Sequence, residues 1–502
     1  MTENNSLKRG AGVLMPVSAL PSSYGIGTLG EESYKFIDFL KKSGFTYWQV
    51  LPAGPTSFGD SPYQSFSAFA GNPYFIDLDM LIKEELLTKE EVSSIDWGEK
   101  EDEIDYAGIY NARFKILKKA FWNSRHKETS EYGKFLKDNE FWLHDYSLYM
   151  ALKNYFKNKE WQLWDEDIAF RKTEAVEKYE KQLSEEIEFW KFIQYKFKEQ
   201  WNSVKGYAAD NGISIIGDIP LYVAMDSSDV WVHGDLFELD ERKKPIHVAG
   251  VPPDMFSADG QRWGNPLYRW DVMEKQDFKW WRERMKSLAA LYDVIRVDHF
   301  IGIVNFYSIP VSCPTAVEGQ WLTGPGKKLT DVFMESIGDA RIIAEDLGVL
   351  TPPVKKLIQE TGFAGIKVLE FGLDGPEDNE YLPHNFKTSN LAVYTGTHDN
   401  ETLVGFLQKK SWEELEKLLE YFQVSDFRLL PDAIIRSAYA SVADAAIIQM
   451  QDFLKLDNSA RMNFPSTVGG NWKWRLKKEQ YQDIDCEKLY NLACLYARAK
   501  QI

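Results

Sequence analysis

Three short stretches of this sequence end in acids: Ile295-Arg296-Val297-Asp298-His299, Ala344-Glu345-Asp346 and Thr397-His398-Asp399-Asn400. Each closes an apolar run that reads as a β-strand, so each puts a carboxylate where its strand runs out. Residues i and i+2 of a strand point to the same side, so Arg296 and Asp298 share a face and Val297 points away. A guanidinium beside Asp298 keeps that carboxyl ionised, the state a carboxylate nucleophile needs. Glu345 follows Ile342, Ile343 and Ala344. Such a dry wall is expected to raise its pKa and hold a proton for donation. His398 and Asp399 form a pair able to bind two hydroxyls of one sugar ring. Asp218, closing the run Ile213 to Asp218, is a fourth acid of this kind, expected to support the site by orienting Arg296. One charged and one proton-bearing carboxyl flanking a single bond is the arrangement that cleaves a link between two sugars.

Each motif also has a structural use. Arg296 and Asp298 fit a plain ion pair. Asp346 could cap a helix while Glu345 stays solvated, and Asp399-Asn400 could form an Asx-type turn that caps the next helix. Only the three together favour the chemical reading. Rival chemistries lack their motifs. The seven histidines include no H-E-x-x-H and no H-x-H, there is no EF-hand loop, and no metal or organic cofactor is expected. Thr323-Gly324-Pro325-Gly326-Lys327-Lys328 lacks the phosphate-loop spacing, and no G-x-S-x-G supports a serine nucleophile. Gly25, Gly27 and Gly30 match G-x-G-x-x-G, but they come too long after the first strand and no acid follows at the right distance.

The elements that must position these acids follow a β–α rhythm. Gly12 to Val17 reads as a strand, Glu31 to Ser43 as a helix stopped by Gly44, and Tyr47 to Pro52 as a second strand. From Leu78 to Asn211 the chain is charged, aromatic and helix-patterned, with Glu185 to Asp210 as the best helix. A β–α connection normally takes a few residues, so residues 78–211 are expected to form a helical insertion after strand two. Ile213 to Asp218 restores the strand pattern, and residues 220–271 are expected to be a loop-rich insertion after strand three. Later strands are expected at Val294 to Asp298, Arg341 to Glu345, Ile366 to Phe371, Leu391 to Thr395 and near Ala446 to Phe453. Eight such units in one catalytic domain, residues 1–502, favour an α/β fold of the (β/α)8 TIM-barrel type over a doubly wound open sheet.

Bulk composition narrows the partners. A net charge of −17 repels phosphate backbones and anionic membranes, so a neutral ligand is the easier fit. Three cysteines without a C-x-x-C argue against a disulfide framework or zinc site, and the first residues carry no apolar targeting segment. The expected home is the cytoplasm. Aromatics make up 14% of the chain. Most belong to a core, and some are available to stack on sugar rings.

The sequence closely resembles the 4-α-glucanotransferases (amylomaltases, or disproportionating enzymes) of the α-amylase superfamily. The resemblance rests on Gly59-Asp60-Ser61-Pro62-Tyr63-Gln64 with Ser67 to Tyr74, on Ala249-Gly250-Val251-Pro252-Pro253-Asp254 with Gly260 to Pro266, and on the three acidic motifs. It runs from Ser18 to Arg475. The family implies a TIM barrel and transfer of α-1,4-glucan segments between chains such as maltooligosaccharides, starch or glycogen fragments. It implies Asp298 as nucleophile forming a covalent β-glucosyl-enzyme, Glu345 as general acid and then base, and Asp399 bracing the distorted ring with His398 beside it. Arg296 would hold Asp298, Tyr63 would stack on the sugar at the cleavage point, and Trp263 would line the acceptor side. Asp218, Asn265 and His299 complete the expected sugar-binding set. Met255 stands where many members carry an aromatic, and Ser466 where glycine is usual.

Two other readings share some of these features. A retaining α-1,4-glucan hydrolase would use the same carboxylates with water as acceptor. A non-catalytic glucan-binding protein would not need all three acids intact.

Overall fold

The structure, a computed structural model, describes residues 5–499 except 58, 99, 254–256, 349, 468 and 482–483. Met255 therefore lies outside the described residues. The strands are β1 Gly10–Leu14, β2 Tyr47–Gln49, β3 Ser214–Ile219, β4 His247–Val251, β5 Gln261–Pro266, β6 Val294–Val297, β7 Asn305–Pro310, β8 Gln320–Thr323, β9 Arg341–Ala344, β10 Gly365–Val368, β11 Leu391–Tyr394 and β12 Ala445–Gln449. Eight of them form one parallel sheet in the order β10-β11-β12-β1-β2-β3-β6-β9. The sheet closes on itself: Ile343 bridges Ala364 in parallel, and the Ala344 N–H donates to the Ala364 carbonyl over 2.8 Å. This is a (β/α)8 barrel. Strands buried on both faces read as continuous apolar runs rather than alternating ones, which is why Ile342-Ile343-Ala344 and Leu391-Ala392-Val393 look alike in sequence.

Two expected strands are shorter than their apolar runs. The run from Ile366 leaves the sheet at Val368 and turns into the short helix Leu369–Leu373, and β12 gives way at Met450 to a helical turn, Met450–Phe453. A short buried apolar run satisfies either conformation, so its period cannot place the boundary.

Between β2 and β3 the chain runs through helices from Leu78–Lys83 to the 27-residue helix Ser184–Asp210. That helix buries Phe189, Trp190, Phe192, Ile193, Phe197 and Trp201. Residues 220–271, expected to be loop-rich, contain β4 and β5. They pair antiparallel and join β7 and β8 in a second sheet, in the order β5-β4-β7-β8. Local sequence hid this sheet. β5 is Gln261-Arg262-Trp263-Gly264-Asn265-Pro266, poor in β-branched residues, and β4 is paired by a strand that follows the next barrel strand. Among the described residues no helix is long and apolar enough to cross a membrane.

Candidate active site

Barrel register brings the first groups together. Asp218 on β3 lies directly beside Arg296 on β6, and both point inward with almost no exposure. Arg296 Nη1 reaches both oxygens of Asp218, at 2.6 and 2.5 Å. The same nitrogen is 3.3 Å from Asp298 Oδ1, and Nη2 is 3.1 Å from Glu345 Oε1. One guanidinium thus serves three carboxyls at the ends of three neighbouring strands, on the face of the barrel where active sites form.

The Asp298 and Glu345 side chains hydrogen-bond to each other. Glu345 Oε2 also accepts the His299 backbone N–H at 2.6 Å. These contacts fix the charge distribution. Burial, then the neighbouring Glu345 charge, push the Asp298 carboxyl well above the usual range, and Arg296 only partly offsets them. Burial acts on Glu345 too, but Arg296, the Asp298 hydrogen bond and the His299 N–H outweigh it and hold its pKa below the ordinary value. The sequence reading put the charge on Asp298 and the proton on Glu345. In this geometry Arg296 spends its shortest bonds on Asp218 and Glu345 gains a backbone donor, so the two shifts run in directions opposite to that reading.

Asp346, just past the end of β9, is bound by a different partner from Glu345. It caps no helix: its Oδ1 accepts the Ile366 N–H at 2.7 Å and pins the start of β10. Beyond β11, Asn400 Oδ1 accepts from the Thr397 N–H and Oγ1 at 3.0 and 2.9 Å and closes the turn on which His398 and Asp399 stand. The following helix, Leu403–Gln408, is capped by Thr402. The Asp399 carboxylate is left facing the cleft, with about half its side chain exposed (48%). Burial would raise its pKa, but His398, Asn463 and Arg296 draw it well below the usual range, so it is ionised. His398 Nε2 is 3.4 Å from Asp399 Oδ2.

Tyr63 lies on His398 with ring centroids 5.0 Å apart, and its hydroxyl donates to Asp218 Oδ2 at 2.9 Å. Trp263 on β5 meets His299 edge-on at 4.8 Å. Burial pushes the His299 imidazole down to about 4, so it is neutral at neutral pH. Asn265 donates to the Val223 carbonyl at 2.9 Å and accepts from Gln64 at 3.2 Å, which ties β5 to the loop carrying Tyr63. Tyr63, Trp263, Asn265, Asp298, His299, Glu345, His398 and Asp399 line one open cleft of about 540 Å³, while Asp218 and Arg296 are buried and do not line it. A larger groove, about 980 Å³, lies between helices Leu430–Ala440 and Cys486–Leu495, and none of the expected site residues lines it.

Two further side chains hold Asp399. Asn463 Nδ2 donates to its Oδ1 at 2.6 Å, and Arg461 Nη2 donates to its carbonyl at 2.6 Å. Sequence reading passed over both. The i, i+2 spacing of Arg461 and Asn463 in an irregular segment carries no period, and only folding brings that segment back over the barrel mouth. Ser466 and Trp472 line the same cleft, and Ser466 has a φ of 64°, a value that favours glycine. Among the described residues no group of three or more His, Cys, Asp or Glu is arranged to hold a metal ion.

The arrangement can perform nucleophilic and acid–base chemistry on a neutral, hydroxyl-rich ligand, and known proteins of similar sequence bear on which. A 4-alpha-glucanotransferase of Clostridium butyricum is 48% identical over 97% of this chain and 100% of its own length. One from Thermus thermophilus is 43% identical over 94% of this chain and 95% of its own. The solved structure of amylomaltase from Streptococcus agalactiae in complex with acarbose matches with a TM-score of 0.95 at 41% identity, covering 98% of this chain and 100% of that one. The sequence model of the 4-alpha-glucanotransferase family matches residues 15–481. Identity at that level over nearly the whole length of both chains leaves one assignment: the chain belongs to the 4-alpha-glucanotransferase family.

Proposed function

We propose that this chain transfers α-1,4-glucan segments from one maltodextrin to another by a retaining double displacement. The observation that carries the reading is the hydrogen-bonded pair Asp298 and Glu345, facing the ionised Asp399 across an open cleft. Retaining enzymes hold their two carboxyls roughly 5–5.5 Å apart and inverting enzymes roughly 6.5–9.5 Å, with room for a water. Carboxyls within hydrogen-bonding reach favour the first class.

In the first step an Asp298 oxygen attacks the anomeric carbon, the glycosidic C–O bond breaks, and Glu345 gives its proton to the departing oxygen. In the second step Glu345, now a carboxylate, takes the proton of an acceptor hydroxyl. That oxygen attacks the anomeric carbon and releases Asp298. The pair must first carry its proton on Glu345, and the shared hydrogen bond is a direct path from Asp298. Asp399 remains charged and takes hydroxyls of the ring as positive charge develops, with His398 beside it. Arg296 holds both reacting carboxyls, and Asp218 orients Arg296. Tyr63, on the His398 ring, offers a flat face to the sugar. Trp263 and Asn265, from the second sheet, wall the acceptor side, and neutral His299 offers its ring to a hydroxyl.

The partners that fit are neutral α-1,4-glucans, including maltooligosaccharides and fragments of starch or glycogen, and we infer that acarbose occupies this cleft as well. Three free cysteines suit a reducing compartment, and we assign the chain to the cytoplasm. The test is incubation with maltotriose. Longer maltodextrins plus glucose are expected; maltose and glucose alone would mean that water is the acceptor and that the chain is a hydrolase.

A further inference from the structure

Two acids at the mouth of the barrel take no part in the scheme above. Glu370 follows β10, and Asp452 follows β12; both are almost fully buried, with relative exposures of 4% and 1%. Both lie under the segment that presents His398 and Asp399. Asp452 grips this segment at its two feet: Oδ2 accepts the Thr395 hydroxyl at 2.6 Å, and Oδ1 accepts the Leu403 N–H at 2.8 Å. Gln449, at the end of β12, donates to the Glu401 carbonyl at 3.0 Å. Glu370 meets the segment at its centre. Its own N–H donates to the Thr395 carbonyl at 3.2 Å, and the Asn400 side chain stands near its carboxyl and draws its pKa down.

The polarity of that last contact is fixed by chemistry. Asn400 must turn Oδ1 toward the Thr397 N–H, which can only donate, so its NH2 is what remains for Glu370. Thr397 Oγ1 in turn accepts the Asp399 N–H at 3.3 Å. A chain of contacts therefore runs from Glu370 through Asn400 and Thr397 to the backbone of Asp399. The fit is tight. A methyl group at Gly396 would lie 2.8 Å from Glu370 Oε1 and 2.9 Å from both Gln449 Nε2 and the Asn400 Cβ, so the segment rests on these groups with no side chain between.

We propose that Glu370 and Asp452 are positioning residues for Asp399, gripping the segment Thr395 to Leu403 from the barrel side so that the Asp399 carboxylate meets the ring only in its productive place. This rests on the reading of Asp399 given above. Two carboxyls side by side are tolerable here in neutral form. Burial, then the charges of Asp452 and Glu401, push Glu370 well above the usual range, while Asn400 and Arg461 oppose. Burial alone raises Asp452, to about 7. Neutral acids can hold a catalytic group without placing a second charge beside it.

The test compares Glu370→Leu with Glu370→Gln, and Asp452→Ala with Asp452→Asn, at a temperature where circular dichroism reports each folded. Displacing a reacting group by about 1 Å costs roughly 100-fold, so the leucine and alanine variants are expected to lose about 10- to 100-fold in kcat with KM within about threefold. The amides keep an acceptor for Asn400 and for the Leu403 N–H, and are expected to recover most of that loss. Asn400→Ala, which breaks the relay without touching the buried acids, serves if Glu370→Leu does not fold, and is expected to show the same fall in kcat. Wild-type kcat in folded Glu370→Leu or Asn400→Ala overturns the proposal, as does a loss in Glu370→Gln as deep as in Glu370→Leu. Asp399→Asn separates this from the reading beneath it. If that variant keeps its turnover, the role of Asp399 is wrong; if it is inactive while the Glu370 and Asn400 variants are normal, the positioning claim alone fails.

Discussion

Asp298 and Glu345, from neighbouring strands of the barrel, share one hydrogen bond and one cation, Arg296. Two partly buried carboxyls in hydrogen-bonding contact disfavour ionising together, so the pair favours carrying a single proton. Which oxygen holds it is set by what else each carboxyl touches, and the proposed mechanism needs it on Glu345 before the first bond breaks.

Asp298→Asn keeps shape and hydrogen-bonding capacity and removes only the proposed nucleophile. Turnover of maltotriose is expected to fall by about 1,000-fold or more, while oligosaccharide binding measured by calorimetry changes little. Near-normal turnover would remove Asp298 from its role.

Glu345→Gln can no longer protonate a leaving group. Transfer from maltotriose is expected to drop by about 100- to 10,000-fold. An α-glucosyl fluoride donor needs no proton, so its first step, followed as fluoride release, is expected to recover most of the loss. Equal losses with both donors would show that Glu345 is not the acid.

Arg296→Met strips the counter-charge from Asp218, Asp298 and Glu345. Breaking a buried pair in this way costs about 3–5 kcal/mol. Without the cation the folded-state pKa values of Asp298 and Glu345 rise, so the folded chain binds protons that the unfolded chain has released. Stability then falls as pH rises, and the deficit in Tm is expected to be larger at pH 8 than at pH 5. The opposite slope would mean that the carboxyls are stabilised by something other than Arg296.

Asp452 has its pKa raised by burial to about 7. An unfolded aspartate releases its proton near pH 3.9. Between about pH 4 and pH 7 the folded chain therefore binds more protons, and this residue's contribution to stability declines as pH rises. Asp452→Asn removes the titration. The variant's unfolding free energy, relative to wild type, is expected to climb across that window by on the order of a few kcal/mol. A pH-independent difference in denaturant unfolding would refute it.

The amino-acid sequence alone determined where the reactive acids sit along the chain and what class of fold carries them. Arg296 and Asp298 share a face because strand geometry has a period of two, and apolar runs before Asp218, Asp298, Glu345 and Asp399 mark parallel strands buried on both sides. Those are local properties, and they survive folding. The tertiary structure decided the rest, because it depends on groups remote in the chain. The directions in which the acid pair's pKa values move follow from Arg296 lying closest to Asp218 and from the His299 N–H reaching Glu345. Asn463 and Arg461 reach Asp399 only after the last barrel strand is in place, and Glu370 meets Asn400 only because β10 and β11 are neighbours. Charge state and orientation are sums over neighbours in space, and a one-dimensional pattern fixes only neighbours in sequence.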